Sequence, residues 1–95
     1  MHPPPRPQIA VTLKWDGQGA PRVTAKGRGD IAERIIMLAQ EHGVPMREDK
    51  ALVELLSSIE LGREIPTLLY VAVAEVIAFA YALRGMVPGD ARSQD

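Results

Sequence analysis

The sequence predicts a small α/β domain: a mixed β-sheet of about three strands packed against three or more helices. Three observations predict it. Residues Ile9 to Trp15 alternate with a period of two, later segments repeat their apolar residues at helical spacing, and glycine or proline stands at the junctions between them. The chain has 95 residues, 46% of them hydrophobic and 24% charged, which suffices for one core and not for two. The expected organisation is a flexible proline-rich arm over 1–8, a folded unit over 9–85 and a flexible tail over 86–95.

Ile9, Val11, Leu13 and Trp15 share one face of the first strand, and Ala10, Thr12 and Lys14 share the other. Asp16-Gly17-Gln18-Gly19 is turn material. Pro21 opens a second strand, Arg22 to Lys26, with Val23 and Ala25 expected to face the same way. The two strands form a hairpin with a loop longer than two residues. Lys26-Gly27-Arg28-Gly29 breaks the pattern. Asp30, with Glu33 three residues on, reads as the N-cap of a first helix running to about His42, buried through Ile31, Ile35, Leu38, Ala32 and Ala39. Gly43 is suited to end it.

Val44-Pro45-Met46-Arg47 reads as a brief third strand, since Pro45 has no N–H to give a ladder. Asp49 is the expected N-cap of a second helix, Lys50 to about Ser58, buried through Leu52, Leu55 and Leu56. Ile59 to Ile65 is a connector. Pro66 fits the first turn of a third helix that runs to about Arg84 and stops at Gly85.

Composition excludes several function classes. Cysteine is absent, so no disulfide, thiol nucleophile or cysteine-based zinc site exists. The formal net charge of -1 argues against nucleic-acid binding, which draws its affinity from an excess of Lys and Arg. Charge is unevenly spread: residues 1–34 carry six basic and three acidic side chains (net +3), and residues 35–95 carry five basic and nine acidic (net -4). Met1-His2-Pro3-Pro4-Pro5-Arg6-Pro7 has no apolar run and is not a secretory signal. Leu68 to Leu83 is the longest nearly apolar stretch. As a helix it would be about 24 Å long against a hydrocarbon core of about 30 Å. A buried core helix is expected there, with no membrane insertion.

Few side chains suggest chemistry. Lys26-Gly27-Arg28-Gly29 joins two cations to a helix start and could hold an anion, although it matches neither a phosphate loop nor a dinucleotide motif. His42 has no partner at metal-ligand spacing, and Ser57 and Ser58 have no base arranged to activate them. Glu75 lies within the apolar third helix, so a salt bridge at the core edge is expected for it. Trp15 is expected to close the core edge. Tyr70 and Tyr81, eleven residues apart, fall on one helical face.

The ordered set of segments resembles the cytoplasmic domain of the FlhB family of flagellar type III export-gate proteins, whose relatives include YscU and SpaS. The matching segments are Ala10-Val11-Thr12-Leu13-Lys14-Trp15-Asp16, Ala20 to Gly27, Ile31-Ala32-Glu33-Arg34-Ile35 and His42-Gly43-Val44-Pro45. Glu60 to Pro66, Leu69-Tyr70 and Val73 to Phe79 complete the set. The resemblance spans Ile9 to Leu83. It implies a domain that family members carry behind a membrane-embedded part, of which no counterpart is expected in this sequence. It also implies an Asn-Pro-Thr-His motif before the first strand, where asparagine cyclisation cuts the chain. The matching positions here are Pro5-Arg6-Pro7-Gln8, and asparagine is absent from the sequence, so self-cleavage is not expected.

What the resemblance implies for function is a non-enzymatic, cofactor-free binding module. It would lie in the cytoplasm or at the cytoplasmic face of the export apparatus, engage export-gate proteins and export substrates, and assist or modulate substrate recognition. The residues expected to meet a partner are Ile9, Val11 and Leu13 on a sheet edge, the acidic set Glu41, Glu48, Asp49, Glu54, Glu60 and Glu64, and Tyr70. The alternative is an anion- or phosphate-binding protein or enzyme using the glycine turn from Lys26 to Asp30.

Overall fold

The alternation of Ile9 to Lys14 builds strand β1 (Ile9–Lys14), and a long loop returns the chain antiparallel as β2 (Arg22–Arg28). The computed structural model describes residues 9–83, so the arm over 1–8 and the tail over 86–95 lie outside the described residues. After the hairpin come α1 (Asp30–Glu41), α2 (Lys50–Ser57), a 3-10 turn over Thr67–Leu69 and α3 (Tyr70–Leu83). Among the described residues the fold is mixed α/β, with a two-stranded sheet and three helices.

The sheet differs from the expected one in strand number. Val44 to Arg47 forms no strand. The reason is local: the Val44 N–H donates to Ala39 O at 2.8 Å and the Gly43 N–H to Gln40 O at 3.2 Å, closing α1 with Gly43 at φ 68°. These are the two bonds of a Schellman motif. With the Val44 donor spent and Pro45 lacking one, the segment has little to offer a ladder. The connector takes the place beside β2 instead. Val23 N–H donates to Arg63 O at 3.0 Å, Gly62 N–H to Val23 O at 2.7 Å and Ile65 N–H to Pro21 O at 2.9 Å, with a single antiparallel bridge between Arg22 and Glu64.

β2 runs two residues past its expected end, with Arg28 opposite Ile9 and Gly27 opposite Ala10. A bulge shifts the register between Thr12 and Leu13, so that Thr12 faces Ala25 while Leu13 faces Val23. Residues opposite one another share a face, so Val23 and Ala25 point to opposite sides of the sheet rather than the same side. Val23 is fully buried.

Helices cover the sheet. α1 packs on both strands, and its Ala32 is fully buried. Ala10 and Gly27 form a small cross-strand pair that lets α1 come close. The other face of β1 presents Val11 and Leu13 to a cluster of Leu52, Leu56, Ile65, Leu69 and Val73. Lys26, opposite Val11, belongs to this second side.

Two strands are too narrow to cover the full apolar face expected of α1. Ile31 and Leu38 are therefore exposed, and α1 packs through Ala32, Ile35, Ile36 and Ala39. Leu55, expected in the core, is 54% exposed, and α2 is buried through Leu52 and Leu56 alone. Gly29, not Asp30, is the N-cap of α1, at φ 59°, because the strand continues to Arg28 and leaves one residue for the turn. Asp30 and Glu33 both lie in the first helical turn, where the helix dipole favours acidic groups.

The Asp49 cap of α2 is present as expected: its Oδ1 accepts from the Leu52 N–H at 3.0 Å. Asp49→Ala is expected to cost about 1 kcal/mol of stability, a fall of about 4–8 °C in thermal midpoint for a domain of this size, measurable by circular dichroism. Pro66 precedes the 3-10 turn in extended conformation, so the third helix starts at Tyr70.

Candidate protein-binding surface

β1 forms one side of the sheet. Among the described residues its only strand partner is β2, and no backbone hydrogen bond reaches Ile9 to Lys14 from the other side. A strand edge in this state offers a row of N–H and C=O groups that an extended segment can pair with. The edge is built on a firm base, since Val11 and Leu13 pack into the core cluster while Ile9 is half-buried. The opposite edge of the sheet is partly occupied by the 62–65 strip.

The loop from Trp15 to Pro21 braces the far end of this edge. The Trp15 Nε1–H donates to Gly19 O at 3.1 Å, Asp16 Oδ1 accepts from the Gln18 N–H at 2.9 Å, and the Trp15 ring meets Tyr81 edge-to-face with centroids 6.0 Å apart. Trp15 thus joins the hairpin to α3, the edge-closing role expected of it. Tyr70, at the start of α3, is 46% exposed.

The acidic residues divide. Asp49 is committed to its cap. Glu64 Oε2 lies 3.2 Å from Arg22 Nη2, and Glu60 Oε1 lies 3.4 Å from Arg63 Nε. Glu41, Glu48 and Glu54 are exposed. Arg22 also donates through Nη1 to Gly62 O at 2.9 Å, so the Arg22–Glu64 pair fastens the 62–65 strip to β2. Both side chains are about half exposed, and exposed pairs contribute little. Glu64→Gln is accordingly expected to cost under about 1 kcal/mol, an effect that 1 M salt should largely erase in urea titrations.

The glycine turn is occupied by packing. The Lys26 ammonium donates to Ser57 O at 2.9 Å and to Ile59 O at 2.7 Å, satisfying carbonyls at the end of α2. Gly27 has no room for a side chain: a Cβ there would stand 2.1 Å from Ile31 Cγ2 and 2.8 Å from Ile31 Cβ. Arg28 is exposed, and Gly29 caps α1. Lys26, Gly27 and Arg28, without Gly29, border one surface depression together with Ile9 and Ser57, but the Lys26 charge is turned to protein carbonyls. Among the described residues no group of three or more His, Asp or Glu could hold a metal ion, and no helix is long and apolar enough to cross a membrane.

One feature was not legible from residue types. α3 is apolar on nearly every side, yet only one side meets the core. Val71 is 75% exposed, and Leu68, in the 3-10 turn that leads into the helix, is 92% exposed. Glu75 is exposed as well and makes no ion pair among the described residues, so the core-edge salt bridge expected for it is not formed. An exposed carboxylate needs no protein partner, because it is not taken out of solvent.

A hairpin held between one helix and a two-helix layer, with one strand edge open among the described residues, defines a small α/β domain. The chain belongs to the FlhB HrpN YscU SpaS Family, whose sequence profile matches residues 7–80. It is 46% identical over 76 residues to YlqH of Bacillus subtilis, covering 78% of this chain and 82% of that protein. It is 44% identical over 78 residues to the flagellar biosynthetic protein FlhB of Salmonella typhimurium, covering 79% of this chain and 20% of FlhB. The chain thus spans about a fifth of that FlhB's length and most of YlqH's. The crystal structure of the PscU C-terminal domain superposes with a TM-score of 0.70 at 28% identity, covering 76% of this chain and 95% of that domain.

Proposed function

We propose that this domain is a non-enzymatic binding module of the flagellar or type III export gate, and that the open edge of β1 is where it takes up a strand from a gate protein. It acts at the cytoplasmic face of the export apparatus, and it assists or modulates recognition of export substrates by binding and competition, with no bond made or broken. The observation that supports this most is the coincidence of family and geometry. The family match covers nearly all of the described fold, and within that fold β1 offers an unpaired edge backed by Val11 and Leu13. Main-chain pairing along such an edge supplies affinity, and the side chains flanking it supply selectivity.

The test is amide hydrogen exchange of Ala10 to Leu13, alone and saturated with the cytoplasmic domain of an FlhB-type gate protein. Protection of these amides should rise at least tenfold in the complex. Unchanged protection at saturation would refute strand uptake at β1. A companion pull-down from the native cell extract, with the intact chain and with one lacking Met1 to Gln8, identifies the gate components or substrates retained. Recovery of neither, by a folded domain, would remove the export role.

The anion-binding alternative has less support, because Lys26 and Gly27 are both engaged in holding the fold.

A further inference from the structure

α3, together with the 3-10 turn that leads into it, carries two helical seams. Leu69, Val73, Val76, Ala80 and Leu83 follow one another at alternating steps of four and three. Leu69 and Val73 belong to the core cluster and Val76 packs against it, while Ala80 is half-buried and Leu83, at the helix end, is exposed. Leu68, Val71, Glu75, Ala78 and Ala82 follow at steps of three and four on the opposite side, and all five are exposed. This second series is the a/d spacing of a coiled-coil seam. It runs for about 21 Å, two heptads, and it has a single charge at its midpoint. Glu75 stands seven residues from each end.

We infer that this outer seam docks an amphipathic helix of another protein, one with apolar residues at its own a and d positions and a Lys or Arg at the central position facing Glu75. The apolar series provides the contact area, and the small side chains of Ala78 and Ala82 let a second helix lie close. The central carboxylate sets the partner. A lone polar residue at an a position fixes register and partner choice at some expense in affinity. A second copy of the same helix is disfavoured, because Glu75 lies at the centre of the seam. Packed parallel in register or antiparallel, two copies would bring Glu75 against Glu75, and like charges in a closing interface repel. A basic residue reverses that term. The inference rests on the binding-module reading but not on the β1 edge, which lies on the other side of the core cluster.

The probe is a pair of labelled 21-residue helical peptides with identical apolar a/d residues, one with a central Lys and one with a central Glu. Each is titrated with the full chain by fluorescence anisotropy. The Lys peptide should bind at least tenfold more tightly than the Glu peptide. Glu75→Lys should reverse the order, and Val71→Asp should weaken both at least tenfold, with circular dichroism showing both variants folded. Equal affinities, an order that Glu75→Lys does not reverse, or indifference to Val71→Asp overturns the inference. Sedimentation of the chain alone is the further control. A dimer that Val71→Asp dissolves would make a second copy the occupant and would overturn it too. Neither substitution touches β1, so exchange at Ala10 to Leu13 reports the strand-edge reading independently.

Discussion

Gly27→Ala is expected to lower stability by about 3 kcal/mol, at the upper end of what overpacking costs. The added methyl would stand 2.1 Å from Ile31 Cγ2 and 2.8 Å from Ile31 Cβ. A terminal methyl can rotate away. A Cβ cannot, because it is fixed to the helix backbone, so the first turn of α1 must move off β2. That displacement also loosens the packing of α1 on the sheet, where Ala10 and Ala32 are both buried. A double variant, Gly27→Ala with Ile31→Ala, removes the Cγ2 overlap but keeps the Cβ one. It should regain part of the loss and not all of it. Urea denaturation of the four species measures the cycle. A Gly27→Ala protein as stable as the parent would mean that α1 does not approach β2 as closely as described.

Lys26→Met is expected to cost about 2 kcal/mol, the range for hydrogen bonds made by a charged group. Methionine keeps most of the apolar stem but removes the ammonium that two carbonyls share, Ser57 O and Ile59 O. Both belong to the end of α2 and its exit, where helix carbonyls lack partners within the helix. The loss should appear as fraying there, with faster amide exchange in the last turn of α2 and little change in α1. An anion site at this turn predicts something else: the parent would gain thermal stability on adding phosphate, and Lys26→Met would lose that gain while keeping its fold. Adjacent residues that a sequence reader assigns to a ligand thus have a measurable structural alternative.

Much of the fold was legible because its signals are local. The β1 alternation, the Asp49 cap and the Gly43 helix stop each act within a few residues, and each stands where the sequence puts it. The third strand failed on a local fact that residue types do not display: the Val44 donor is consumed by the cap of α1. The true neighbour of β2, Gly62-Arg63-Glu64-Ile65, is polar and short, and it is held by bonds to residues some forty positions away, so no periodicity announces it. Ile31, Leu38 and Leu55 are apolar at helical spacing but find no sheet wide enough to cover them. α3 hid its outer seam for the opposite reason: when every face is apolar, polarity cannot say which face turns inward. Of the candidate surface, the shared strand face of Ile9, Val11 and Leu13 was readable from alternation, whereas the acidic set could be sorted only once Asp49, Glu60 and Glu64 had visible partners.

The strip at 62–65 has a consequence for how the chain folds. The hairpin and α1 close through neighbours in sequence, whereas the Arg22 bond to Gly62 spans 40 residues. Closing a loop of that length costs on the order of 3 kcal/mol in chain entropy, and such contacts form late when local ones can form first. The hairpin with α1 is then expected to form the early nucleus, and the connector to lock last. Changes in the strip should speed unfolding and leave the folding rate nearly untouched. The same order makes the strip the first to release, so the native protein would open at the outer edge of β2 while β1, α1 and their shared interface stay formed.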